Sequence, residues 1–159
     1  MTEVEPSPSG TFDAFASPHL GAMWTLASRL AGPDAREDVV QEALLTAWRR
    51  FSSYDEARGT PRTWLLLLTA DRCRKHWRSQ RPTLELVDAA GVSDDREAHL
   101  DLTRAVARLP KRQRIAVELY YVLGLPVAEC ALVMDCAVGT VSSTLADARR
   151  SLKRALEVS

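Results

Sequence analysis

The sequence has little of what catalytic, metal-binding or secreted chains depend on. Its 159 residues include three cysteines, an odd number without zinc-site spacing, and three scattered histidines, His19, His76 and His99. That is no basis for a disulfide framework or a Cys/His metal centre, and it fits a reduced, cytoplasmic chain. No Gly-rich phosphate loop, Ser/His/Asp set or HExxH motif occurs, so no catalytic residue, metal or cofactor is expected. No apolar run reaches the roughly 18 to 20 residues that cross a bilayer. The opening MTEVEPSPSG lacks the basic-then-apolar pattern of a secretory signal, and no membrane insertion is expected. No segment alternates apolar and polar residues, the signature of a half-buried strand, for long enough to make one. Charge of one sign is not in excess either, with 21 basic and 21 acidic side chains.

What is present is a charge pattern on a helical background. Residues 1–10 carry a net −2, 11–81 a net +3, 82–101 a net −5 and 102–159 a net +4. Two basic blocks flanking an acidic connector allow two anion-binding surfaces. Phe12, Phe15, Leu20, Met23, Trp24, Ala27 and Leu30 recur at helical spacing, and Gly32-Pro33 ends that helix. Asp34 is placed to cap the next helix, with Glu37 and Asp38 near its positive end. There Val39, Val40, Ala43, Leu44, Ala47, Trp48 and Phe51 make an apolar face. Thr60-Pro61 starts a further helix whose first half is apolar nearly all round and whose second half, DRCRKHWRSQR, is basic and expected to be exposed. The expected fold is all-α: a tail over 1–10, a helical domain over 11–81, an acidic flexible linker over 82–98, and a helix-turn-helix domain over 99–159.

Residues 126–145 meet the demands of a helix-turn-helix. Small Ala131 falls where the helices cross. Val127, Val133, Val138, Val141 and Leu145 are spaced to fix the crossing. Asp135 takes the turn position that needs left-handed backbone, where Gly is usual. Thr140 is placed to cap the second helix, which in such motifs enters the major groove. Cys130 and Cys136 flank the crossing, where small buried residues are expected.

Three segments in this order, DAREDVVQEALLTAWRRF, GTPRTWLLLLTADRCRKHWRS and LPKRQRIAVELYYVLGLPVAECALVMDCAVGTVSSTLADARRSLKRAL, resemble the extracytoplasmic-function group of bacterial sigma factors. The resemblance covers about residues 11–81 and 99–157. It implies a non-enzymatic specificity subunit of RNA polymerase that directs promoter recognition, melting and initiation. It implies three partners: core polymerase, through the clamp helices of the largest subunit and the flap region; promoter DNA; and an anti-sigma factor. In the first segment Asp38, Gln41, Glu42 and Leu45 share a helix face, with Arg49 beside it. Carboxylates around an apolar patch suit a basic helical partner. Val40 and Trp48 read better as core.

In the second segment the resemblance assigns minus-ten DNA to Arg58, Arg62, Asp71, Arg72, Arg74, Lys75, Trp77 and Arg78. Cations follow phosphates, and exposed aromatics stack bases of a melted strand. Trp64 reads as core, while Trp77 fits core and stacking equally. The family often has Asn where this chain has Asp71. In the third segment the family's recognition helix commonly carries basic residues at its groove-facing places. The matching positions here hold Ser142, Ser143, Thr144, Ala146 and Asp147, with Arg149 and Arg150 downstream, and the resemblance assigns Thr140 to minus-thirty-five DNA as well. Lys111, Arg112 and Arg114 precede the motif and are placed to touch the DNA backbone. Ser and Thr lack the bidentate reach of Arg, so a weak or unusual minus-thirty-five interaction is expected. The alternative is a sigma-like regulatory protein that binds polymerase or regulators with weak DNA recognition.

Overall fold

The computed structural model describes residues 8–79 and 96–158, with side chains from 11 and from 98. The described residues are helical, without a strand, and divide into two units, the first ending at Ser79. The first unit holds α1 (Pro8–Ala16), α2 (Leu20–Ala31), α3 (Arg36–Arg49) and α4 (Pro61–Ser79). The second holds α5 (Arg96–Arg108), α6 (Lys111–Val117), α7 (Val127–Met134) and α8 (Val138–Glu157). α1 starts at Pro8, inside the expected tail, and α5 starts at Arg96, inside the expected linker. Residues 1–7 and 80–95, the rest of both, lie outside the described residues, as does Arg81.

In the first unit α2, α3 and α4 pack around Met23, Leu26, Leu65 and Leu66, all fully buried. α4 lies against both α2 and α3, which is why its first half is apolar on every side. Small Ala43, Ala47 and Ala70, none exposed, let the helices approach closely. Across the top, Phe15 packs its ring against Phe51, Tyr54 and Trp64 at 4.9, 4.9 and 5.8 Å, edge to face. Such pairs add about 0.5–1.5 kcal/mol each beyond area burial. Trp64, read from sequence as core, is half-buried in this cluster.

Two local expectations are corrected here. The periodicity from Phe12 to Leu30 does not make one helix. Pro18, without an N–H and clashing with the preceding turn, interrupts it as a 3-10 turn over Ser17–His19. Asp34 does not cap α3: the capping place is Ala35, in helical backbone geometry (φ −98°, ψ −14°), and no side chain caps it. Side-chain caps need extended backbone at that place. The Gly32-Pro33 turn feeds the helix in directly instead, with Arg36 N donating to Gly32 O at 3.1 Å. Gly32 itself sits at φ 87°, which glycine tolerates without strain. Thr60 does cap α4, accepting from Thr63 N at 3.2 Å.

In the second unit α8 is the centre, touched by α5, α6 and α7. α6 runs on into a wide π turn over Glu118–Val122, and Gly124 (φ 68°) ends it. Leu119, Leu125, Cys130, Val133, Val141 and Leu145 fill the core.

Candidate functional site

α3 presents two unlike faces. Val39, Val40, Ala43 and Ala47 are buried, whereas Asp38, Gln41, Glu42, Leu45 and Arg49 are exposed. Gln41 bonds back to Glu37 at 3.4 Å. Leu45 is 46% exposed and Trp48 is 53% exposed, so the apolar content of this outer face is large. Trp48 therefore corrects the expectation of core. The small alanines already close the inner face against α4, and Trp48 falls one turn beyond Leu45 on the outer one.

The basic half of α4 is less exposed than expected, because the helix stays wedged between α2 and α3 to its end. Arg72, Arg74, His76 and Trp77 are half-buried; Lys75, Arg78 and Ser79 are exposed. Arg72 reaches across to α3, where its Nη2 donates to Thr46 Oγ1 at 2.9 Å and its Nη1 lies 3.4 Å from Glu42 Oε2. Lys75 pairs with Asp71 at 3.3 Å, which offsets the repulsion a lone carboxylate would exert on phosphate. Trp77 donates its indole N–H to Leu30 O at 3.0 Å, which fixes the ring as a strut between α4 and α2. Arg58 is exposed at the end of a 3-10 turn. Arg62 is half-buried in the first turn of α4, where burial and its guanidinium hold the His19 imidazole below its ordinary range. Asp38, Glu42, Arg72, Lys75 and His76 line a shallow groove between α3 and α4.

In the second unit α7 and α8 meet at 99°, within the range of a helix-turn-helix. Ala131 is buried at the crossing. Asp135 takes the left-handed conformation (φ 52°, ψ 53°), the only described residue other than glycine with positive φ. Cys136 N donates to Ala131 O at 3.1 Å and Asp135 N to Leu132 O at 3.3 Å. These are the paired bonds of a Schellman ending, which favours glycine at the Asp135 place. Asp135→Gly is expected to stabilise this unit by about 0.5–1 kcal/mol, read as a raised melting temperature by circular dichroism. An unchanged or lowered midpoint would mean that the Asp135 side chain matters to the turn.

Three details of the motif differ from expectation. α8 begins at Val138 with Ala137 at its capping place, so Thr140 lies in the first turn and caps nothing. Val138 is 51% exposed and does not set the crossing. Thr144 is buried, its hydroxyl donating to Thr140 O at 2.6 Å, so it faces the core and not the groove. Ser142 and Ser143 are exposed, and Ser143 Oγ donates back to Gly139 O and Thr140 O at 3.0 and 3.1 Å. In that rotamer Ser143 offers a groove only its acceptor lone pairs. Asp147 pairs with Arg150. Arg149 Nε donates to Tyr121 Oη at 2.6 Å, with the guanidinium over the ring. Lys111 and Arg112 are exposed in the first turn of α6, where the helix dipole disfavours cations unless an anion is near. Arg114 is half-buried, with Nη1 3.4 Å from Ala107 O. Burial pushes the Cys130 thiol up to about 11, so it stays protonated and makes a poor redox partner for Cys136.

Residues 15–83 match the family described as Sigma-70 region 2, and residues 99–152 match Sigma-70, region 4. The ECF RNA polymerase sigma factor SigC of Mycobacterium tuberculosis is 32% identical over 150 residues, covering 88% of this chain and 80% of that protein. SigL of the same species is 31% identical over 150 residues, covering 87% and 85%. The chain is an extracytoplasmic-function sigma factor. As such it acts with RNA polymerase in transcription initiation, and members of its family are specificity subunits rather than enzymes. Two solved structures share the fold. The sigma factor RpoE in complex with the anti-sigma factor NepR from Bartonella quintana has a TM-score of 0.74 and 24% identity, covering 93% of this chain and 98% of that one. CnrH in complex with the cytosolic domain of CnrY has a TM-score of 0.70 and 23% identity, covering 95% and 92%.

The region 2 match takes in α2, α3 and α4, so the outer face of α3 and the basic half of α4 lie on one sigma unit. The region 4 match takes in the helix-turn-helix. Sequence reasoning missed three contributors to these surfaces: Trp48, Thr46 and Tyr121. The place of Trp48 on the 38–41–42–45 stripe was the available signal. Nothing in the sequence paired Tyr121 with Arg149, because the π turn that aims Tyr121 has no sequence signature. Among the described residues no cluster of His, Cys, Asp and Glu could hold a metal ion, and no single helix is long and apolar enough to cross a membrane.

Proposed function

We propose that this sigma factor engages core polymerase through the outer face of α3, using Asp38, Gln41, Glu42, Leu45 and Arg49 with Trp48 as the apolar anchor. The observation that carries the reading is the pairing of carboxylates with exposed Leu45 and Trp48 on one helix face. A basic helical partner, such as the polymerase clamp helices, satisfies both the charge and the apolar area. The second unit takes the flap region of core polymerase as its protein partner. Residues 11–81 form the unit for core and minus-ten binding, and residues 99–159 the unit for minus-thirty-five binding.

Arg58, Arg62, Arg74 and Arg78 follow the phosphates of the minus-ten strand, with Lys75 taken up in quenching Asp71 and Trp77 serving as scaffold. Lys111, Arg112, Arg114, Arg149 and Arg150 hold the minus-thirty-five backbone, while Ser142 and Ser143 meet base edges. Cation contacts of this kind give affinity and register more than sequence reading. Thr144 faces inward, and the Ser143 hydroxyl donates its proton to its own helix, so minus-thirty-five readout is the weaker of the two. A cytoplasmic anti-sigma partner covers one or more of these faces when the factor is held inactive; the complexes of RpoE with NepR and of CnrH with CnrY support this.

Run-off transcription with purified core polymerase on a randomised promoter library tests the reading. Transcripts are expected from templates sharing two spaced elements, with the upstream one less constrained. Binding to core without any transcript would favour the sigma-like regulator instead.

A further inference from the structure

Arg72 belongs by sequence to the basic, DNA-facing set, and Glu42 to the polymerase-binding stripe. The structure joins them. Arg72 Nη2 donates to Thr46 Oγ1 at 2.9 Å, Thr46 Oγ1 donates in turn to Glu42 O at 2.9 Å, and Arg72 Nη1 stands 3.4 Å from Glu42 Oε2. The Thr46 hydroxyl is thus used both as acceptor and as donor, which fixes its rotor. Arg72 is gripped at two points one helical turn apart on α3. Its side chain is 28% exposed, that of Glu42 60%. A guanidinium held in this way is partly neutralised and turned away from any strand lying on the outer side of α4.

We propose that Arg72 is a positioning residue of the polymerase-binding face: anchored by Thr46, it holds the Glu42 carboxylate in one orientation for a basic partner. This rests on the assignment of α3 to core polymerase. The geometry favours orienting over blocking. Arg72 approaches Oε2, and a carboxylate has about four acceptor sites, so Glu42 keeps capacity for a second cation. A glutamate on a helix surface otherwise loses side-chain freedom when a partner binds. A guanidinium anchored elsewhere removes part of that cost beforehand.

The experiment measures the affinity of the full chain for core polymerase, and the affinity of the assembled complex for single-stranded minus-ten oligonucleotide. Arg72→Ala is expected to weaken core binding roughly 3- to 10-fold, the size of the ordering cost of one side chain that Arg72 removes in advance, with strand affinity little changed. Glu42→Gln should have a similar effect, and Arg72→Ala should add almost nothing in that background. Thr46→Val should reproduce part of the loss, and Thr46→Ser should restore it. Equal loss with and without Glu42 would reveal a general structural role and overturn the inference. Loss of strand affinity with core affinity intact would overturn it too, returning Arg72 to the DNA. Leu45→Ala reports on the face itself. If neither Leu45→Ala nor Glu42→Gln weakens core binding, the assignment of α3 fails. If both weaken it and Arg72→Ala does not, only the positioning role fails.

Discussion

Trp48→Ala is expected to weaken binding to core polymerase about 30-fold, the factor that corresponds to a hot-spot loss of ~2 kcal/mol, while the folding midpoint stays within error. The reasoning starts from position. Trp48 continues the face of Asp38, Gln41, Glu42 and Leu45 and leaves 53% of its surface in water. An exposed tryptophan beside a leucine that is itself 46% exposed loses apolar contact with solvent when a partner covers it. Aromatic anchors ringed by polar side chains dominate interfaces, and the ring excludes water from them. Because Trp48 does not fill the inner face of α3, truncation leaves no cavity, and surface changes of this kind shift stability by only about 0.5 kcal/mol. Titration of labelled chain with core polymerase, beside a thermal melt, checks both halves. A variant that binds like the parent would place the polymerase on another face.

The corrected positions show which features a linear pattern carries. Helix α3 was legible because Val39, Val40, Ala43 and Ala47 repeat at 3.6-residue spacing, and that repeat requires only that one face be dry. The helix-turn-helix was legible down to the left-handed residue, since Asp135 stands where a Schellman ending needs positive φ. Caps were less legible. Asp34 and Thr140 have the right chemistry, but a cap also needs extended backbone at its own position, which depends on how the preceding turn enters. Trp48 and Thr144 exchanged sides for a related reason. Residue type suggested core for the first and surface for the second, whereas packing decided by angle: alanines at 43 and 47 filled the inner face of α3, and Thr144 took the inner face of α8 between Val141 and Ala148. The Arg72–Thr46–Glu42 bridge joins residues 26 and 30 apart in sequence. Periodicity says nothing about such contacts, because they arise only once α3 and α4 pack.

The largest effect on folding is expected from Leu65→Ala. Leu65 is fully buried on α4, the helix against which α2 and α3 both pack. Removing three carbons there costs the lost transfer energy plus a cavity that helices held on two sides cannot close, about 3 kcal/mol. A single core in a unit of this size supplies only about 3–5 kcal/mol in all, so the first unit should lie near its unfolding midpoint at room temperature. The placement of the tryptophans makes this measurable by unit. Trp24, Trp48, Trp64 and Trp77 all precede residue 80, so tryptophan fluorescence follows the first unit alone, while far-ultraviolet circular dichroism follows both. The variant should lose the fluorescence transition and keep the part of the helical transition that belongs to α5–α8, whose core of Leu119, Val133, Val141 and Leu145 is separately buried. Loss of the whole helical signal together with the fluorescence would mean that the two units fold as one. Core binding separates this variant from Trp48→Ala. Leu65→Ala should lose affinity only in proportion to the unfolded fraction, and recover it under stabilising osmolyte. Trp48→Ala should stay weak under every condition, because its loss lies in the contact and not in the population that makes it.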